Sequence, residues 1–270
     1  MGIVNITPDS FSDGGKFFNC DQAVAQGEKL AAEGAAIIDI GGESTRPFSE
    51  PITADEEIRR VVPVIEKLAP KVSAPISIDT TKAEVARRAI AAGASIINDV
   101  SALRFDPDLA AVAAEFDVPV ILMHMLGEPK SMQVQPRYDN LIADIRKFLE
   151  DAVERAQNLG ISHSKIIVDP GIGFGKTVAH NLLLIKHVQA FASLDTPILI
   201  GASRKAFIRK ILKYDNGQEP QPDLPIVETG SQAAAAAAIL NGAHIIRVHD
   251  VANTVATAKI VDAMMNASES

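Results

Sequence analysis

Three times along this chain a helical stretch ends in glycine and runs straight into a short isoleucine strand. The segments are "AEGAAIID" at 32–39, "AAGASIIND" at 91–99 and "LNGAHIIRV" at 240–248. Glycine just beyond a helix takes the left-handed conformation that stops it, so each segment reads as one helix–Gly-Ala–strand joint. Gly160 holds the same place after a fourth helical stretch. Such joints imply strands and helices in alternation, and the whole chain obeys that pattern. Strands are expected at 2–6, 36–40, 75–79, 95–98, 119–124, 165–169, 197–201 and 244–249, each a short apolar run suited to burial on both faces. Helices are expected at 21–33, 54–68, 82–92, 107–116, 138–159, 180–190, 204–213 with 231–241, and 254–265. Segment 214–230, with Pro220, Pro222 and Pro225, reads as a loop. Eight βα units predict an α/β fold, a single (β/α)8 TIM barrel over residues 1–270. A doubly wound open sheet is the alternative, but no glycine-rich dinucleotide turn is present.

Composition narrows the classes of function. Hydrophobic residues make up 47% of the chain, enough for a large core, yet no apolar run approaches the ~20 residues of a membrane span. The net charge of −8 and the presence of two Tyr and no Trp argue against nucleic-acid binding. Cys20 is alone, so neither a disulfide framework nor a zinc cluster is expected. No basic-then-apolar leader opens the sequence, and a cytoplasmic location is expected.

Barrel chemistry sits at the C-terminal ends of strands. Here those ends read Asn5 with "TPDSFSDGG", then "DIGGESTRP", "SIDTTK", "IIND", "MHM", "DPGIGFGK", "GASRK" and "RVHD". A strand-closing Asp is often a helix N-cap, and Asp250 and Asp9 fit that role. Asp79, Asn98 and Asp169 come from three different strands and are expected to converge as acceptors on one pocket floor, which suits a hydrogen-bonding heterocycle or a hard metal. Arg46, Lys205, Arg247 and His249 form a cationic set on the same face, pointing to an anionic substrate. His249 suits a phosphate donor best, with metal ligand and general base as alternatives. "DPGIGFGK" matches no P-loop, and its glycines suit close approach to a flat ligand better than a phosphate cradle. The loops after the first two strands read as closing lids or as plain surface turns.

Taken together and in this order, with "MHM…PKSMQ" in the fifth unit, the motifs resemble the dihydropteroate synthase family over nearly the whole chain. The resemblance implies condensation of 6-hydroxymethyl-7,8-dihydropterin diphosphate with p-aminobenzoate, giving dihydropteroate and diphosphate in folate biosynthesis. It implies that Asp79, Asn98, Asp169 and Lys205 hold the pterin, with Met123, Phe174 and Gly201 shaping its slot. Asn5, Arg247 and His249 would bind the diphosphate, Asn5 through Mg2+. Phe11, Thr45, Arg46 and Pro47 would form the p-aminobenzoate side, with Asp13 on the closing first loop. Asp13, Lys205, Arg247 and His249 are then the expected catalytic set. The resemblance further implies a homodimer, sulfonamide binding and a dissociative displacement at the exocyclic CH2.

Several positions depart from the family pattern. The family usually has a short stretch before its first motif, where this sequence opens at Met1. Ala206 stands where a serine commonly helps hold the p-aminobenzoate carboxylate, Leu126 where glutamine is common, and segment 214–230 is longer than usual. A methyltetrahydrofolate–corrinoid methyltransferase shares the strand-end Asp and Asn residues but needs neither "STRP" nor "SRK". A non-catalytic pterin-binding paralogue is the other alternative.

Overall fold

A computed structural model describes residues 1–6, 20–45 and 49–268. Eight short parallel strands follow one another: β1 Gly2–Asn5, β2 Ile38–Gly41, β3 Ile76–Asp79, β4 Ile96–Asp99, β5 Val120–Met123, β6 Ile166–Asp169, β7 Leu199–Ile200 and β8 Ile245–Ile246. The first six form one sheet in sequence order and the last two form a pair. Bridges Val168↔Ile198 and Gly2↔Val248 join the two sets into a ring. The seam at β8 carries real hydrogen bonds, Ile3 N to Val248 O at 3.0 Å and Val248 N to Met1 O at 2.9 Å. The expected closed barrel is therefore the observed one, and the open sheet is not.

The helices are α1 Cys20–Ala32, α2 Ala54–Leu68, α3 Ala83–Ala91, α4 Leu109–Glu115, α5 Leu141–Asn158, α6 Val178–Lys186, α7 Ala206–Ile211, α8 Pro225–Leu240 and α9 Val251–Met265. Their stops follow the glycine rule: Gly34, Gly93, Gly160 and Gly242 all have φ between +92° and +120°. Several starts are side-chain caps. Thr53, Asn140 and Thr177 each accept from a backbone N–H of the first turn, and Asp250 caps α9 as expected.

Two helices depart most from their expected bounds. α8 begins at Pro225, so the loop ends at Leu224 and not at Gly230. Proline at the first helical position loses no hydrogen bond and its φ is already helical, so the last of three prolines opens the helix. The expected helix at 180–190 starts at Val178 and ends at Lys186, and a 3-10 turn, Val188–Leu194, takes over. Asp195, with φ 52°, stops that turn where glycine is absent.

Apolar side chains fill two layers. Ile6, Leu30, Ile38, Ile40, Ile65, Leu68, Ile78 and Phe191 are fully buried in the shell between barrel and helices. A smaller cluster of Ile96, Ile121 and Leu199, with Ile37, Ile167 and Ile245 against it, plugs the barrel itself. Polar residues collect above this plug, at the C-terminal ends of the strands. Among the described residues no helix is long and apolar enough to cross a membrane.

Candidate active site

The pocket floor is built from the first polar residue after each isoleucine pair. Asp39, Asn98 and Arg247 follow Ile37-Ile38, Ile96-Ile97 and Ile245-Ile246, and they meet. Arg247 Nε donates to Asp39 Oδ2 at 2.6 Å, and its Nη2 donates to Asp79 Oδ2 at 2.8 Å. Asn98 Nδ2 donates to the same Asp39 Oδ2 at 3.2 Å. The three strands carrying the repeated joint are all even-numbered, and alternate strands of such a barrel contribute side chains to common layers. Asp79 stands beside Asn98 in the β3–β4 register.

Burial sets the charges. Loss of water raises the Asp79 carboxyl to about 7, against the pull of Arg247, with Asp39 and other nearby carboxylates adding to the rise. Asp169 is raised to about 6 by burial, opposed by its bond from Gly171 N and by Lys205, Lys176 and Arg247. Burial pulls the Arg247 guanidinium down, but Asp39 and Asp79 outweigh it and hold it above its usual value. Two carboxyls poised between pH 6 and 7 are expected where function needs them.

The glycine-rich segment after β6 is pinned at nearly every residue. Gly171 N donates to Asp169 Oδ1 at 2.7 Å and Gly173 N to Asn181 Oδ1 at 2.7 Å. Gln133 Nε2 and Tyr138 Oη donate to the carbonyls of Gly173 and Gly175, at 2.5 and 2.9 Å. The Gly171 and Gly173 amides are thus already committed and offer no N–H to a phosphate. A Cβ at Gly171, where φ is +72°, would lie 1.9 Å from His124 O, so only glycine lets the two loops approach this closely.

That segment carries Phe174 into a wall with Val100, Met123, Met125 and Met132. Lys205 Nζ lies 4.0 Å from the Phe174 ring centroid, a cation–π contact that sets the ammonium at the edge of an apolar slot. Gly201 faces the Arg247 stem, whose Cβ is 3.7 Å from where a side chain would begin. His249 Nδ1 shares a 3.0 Å hydrogen bond with Ser203 Oγ, and Asn5 is half-buried at the end of β1.

The structure thus brings together Asp79, Asn98, Asp169 and Lys205, with Met123 and Phe174 in the wall, and places Arg247 on the floor between Asp39 and Asp79. Thr45 is half-buried just beyond β2. Phe11, Asp13, Arg46 and Pro47 lie outside the described residues. Ala206 is exposed and opens α7 directly after Lys205.

Three groups escaped the sequence reading. Asp39 is fully buried, and its equivalence to Asn98 and Arg247 in the repeated joint is the signal that marks it. Lys176, buried behind the wall, donates to Phe174 O at 2.9 Å and contacts His124 Nδ1 at 3.0 Å. Glu43 accepts from Ile52 N at 3.0 Å and from Lys82 Nζ at 2.5 Å, closing the base of the second loop, while Lys82 also pairs with buried Glu57 at 2.6 Å. Neither of these last two groups carries a pattern visible along the chain.

Known proteins share this arrangement across nearly the whole length. The sequence model of the pterin binding enzyme family matches residues 1–249. Dihydropteroate synthase of Synechocystis sp. is 45% identical over 264 residues, covering 98% of this chain and 89% of that protein. The Escherichia coli K12 dihydropteroate synthase is 43% identical over 269 residues, covering 100% of this chain and 92% of its own. Among solved structures, Yersinia pestis dihydropteroate synthase in a sulfonamide drug complex superimposes with a TM-score of 0.91 at 44% identity, covering 98% of this chain and 94% of that one. Xanthomonas albilineans dihydropteroate synthase in complex with 7,8-dihydropteroate gives 0.87 at 42% identity, covering 99% and 93%. The chain belongs to the pterin-binding enzyme family, in its dihydropteroate synthase branch.

Proposed function

We propose that this protein condenses 6-hydroxymethyl-7,8-dihydropterin diphosphate with p-aminobenzoate, releasing 7,8-dihydropteroate and diphosphate. The observation that carries the reading is one pocket floor holding acceptors Asp79, Asn98 and Asp169 beside cations Lys205 and Arg247. Carboxylates accept from the amino and N–H groups of the pterin edge, and Lys205 donates to ring oxygen and nitrogen. Met123, Phe174 and Gly201 flank the ring plane. An incoming ring edge competes with Arg247 for Asp79 Oδ2, which releases the guanidinium toward the diphosphate.

Diphosphate binding falls to Arg247, His249 and Asn5. Asn5 offers one neutral oxygen, and among the described residues no cluster of His, Cys, Asp or Glu could cage an ion. That donor set fits Mg2+, which commonly takes one or two protein oxygens together with phosphates and water. The ion would supply positive charge to the leaving diphosphate. Fixed cations aimed at developing negative charge favour departure of the leaving group before attack. The aniline nitrogen then adds to the exocyclic CH2, and no enzyme nucleophile is needed. Thr45, with Phe11, Arg46 and Pro47 from the matched motifs, would hold p-aminobenzoate, where sulfonamides compete, and Asp13 would steady the cationic intermediate. A backbone N–H at the start of α7 replaces the serine that Ala206 lacks.

Leu240, Ile260, Met264 and Met265 stand exposed on α8 and α9 and supply an apolar face for a homodimer. A lone thiol at Cys20 suits a cytoplasmic enzyme. Calorimetric titration tests the pterin site: Asp169→Ala and Lys205→Ala should each weaken pterin diphosphate binding at least ~100-fold, a loss of about 2.7 kcal/mol. Undiminished binding in Asp169→Ala would overturn the assignment. Positional isotope exchange within the diphosphate, measured without p-aminobenzoate, tests the dissociative order, and its absence would contradict it.

A further inference from the structure

Asp39 is the one floor residue with no role in the reading above, and its surroundings are unusual. It is fully buried, yet its Oδ1 has no hydrogen-bond partner among the described residues. Its Oδ2 takes all the donors: Arg247 Nε at 2.6 Å and Asn98 Nδ2 at 3.2 Å. A buried carboxylate with one bare oxygen is a poor choice for stability, and such rule-breaking residues gather at functional sites.

A carboxylate paired with a guanidinium can only accept. Whatever Asn98 turns toward Asp39 must therefore be its amide nitrogen. Reversal would set Oδ1 against a carboxylate oxygen and leave two acceptors facing across a buried gap, a loss of about 1–3 kcal/mol. The remaining edge of Asn98 is then fixed in sense: oxygen on one branch and a single free N–H on the other.

Resting on the pterin reading of this pocket, we propose that Asp39 is a positioning residue that sets which way round Asn98 faces the ring. It thereby selects rings with an amino group, not an oxygen, at that edge. Asp39 does so while anchoring Arg247, so one side chain links ring recognition to the anion-binding cation. Asp79 adds a further acceptor beside Asn98 in register, and the two together favour a donor-rich ring edge.

The test compares binding of two rings, 6-hydroxymethylpterin and the corresponding lumazine, in which oxygen replaces the 2-amino group. In Asp39→Ala no acceptor faces Asn98, so its amide turns freely and offers either sense to the ring. Wild type should prefer the pterin at least ~100-fold, and Asp39→Ala should narrow that ratio by about tenfold, the worth of one hydrogen bond no longer held in sense. Asp39→Ser, whose hydroxyl either donates or accepts, should narrow it as well and serves if the alanine variant misfolds. A merely structural role would weaken both rings alike; a ratio unchanged in both folded variants overturns the proposal. Wild type that binds neither ring would instead sink the pterin reading on which the proposal stands.

Discussion

Lys176 reaches beneath the pocket wall to within 3.0 Å of His124 Nδ1, so an ammonium and an imidazole share one buried hydrogen bond. The ammonium is the donor, which leaves His124 neutral with its proton on Nε2. Burial, Lys176 and Arg104 together push His124 down to about 2, and burial brings Lys176 down to about 7 against the pull of Asp169. The same ammonium holds the Phe174 carbonyl, fixing the ring that Lys205 stacks upon.

His124 should therefore remain neutral through the whole range in which the protein is folded. Imidazole nitrogen shifts in a histidine-labelled sample should show a neutral ring from pH 5 to 8, in the Nε2–H tautomer below the Lys176 value of about 7. A midpoint above pH 5 would refute the pairing. Lys176→Met, which frees Phe174 O, should weaken pterin binding by about tenfold while leaving His124 neutral, roughly the worth of one buried hydrogen bond.

Asp169 makes a trade between stability and function. Its carboxyl is raised in the folded state, so the stability it contributes is present below the unfolded value near 4 and is lost as pH rises through about 6. A displacement of that size corresponds to on the order of 3 kcal/mol. Asp169→Asn keeps an acceptor for Gly171 N and does not titrate. Relative to wild type, it should gain stability in urea unfolding between pH 4 and pH 8, by up to ~3 kcal/mol. Pterin binding by the wild type should strengthen over the same rise in pH, because the ionised carboxylate is the form that accepts. A variant whose relative stability is flat with pH would show that Asp169 is not desolvated as described.

The Glu43–Lys82–Glu57 chain should separate loop positioning from folding. Glu57 is wholly buried beside Lys82, and burial raises its carboxyl against the opposing pull of that ammonium. Lys82→Met strands the carboxylate and should cost about 3–5 kcal/mol. Combining it with Glu57→Gln should recover most of that loss. In the combined variant Glu43 still lacks its cation, so the KM for p-aminobenzoate should rise several-fold while pterin affinity stays as in wild type. Equal effects on both substrates would place this chain of charges outside the p-aminobenzoate side.

What could be read along the chain was what repeats along the chain. Parallel strands buried on both faces are bare apolar runs, and glycine is the preferred left-handed stop at four of the joints between helix and strand, so the barrel and its order of elements were legible. Pro225 was not, because proline at a helix start and proline in a loop look alike without the following turn in view. Asp79, Asn98 and Asp169 stood out because they close strands in distinct motifs. Asp39 also follows an isoleucine pair, but it stands inside the strand before Ile40, and only its match to Asn98 and Arg247 in the repeated joint marks it. Lys176 and His124 lie 52 residues apart and meet only through the close approach that Gly171 permits. Pairings of that kind follow from three-dimensional packing, and linear spacing carries no trace of them.

Turnover of the purified protein decides whether this floor serves dihydropteroate synthesis. With 6-hydroxymethyl-7,8-dihydropterin diphosphate, p-aminobenzoate and Mg2+, dihydropteroate and diphosphate should appear in equal amounts, and both should vanish in Asp169→Ala. Pterin binding without either product, or products unaffected by that substitution, would contradict it.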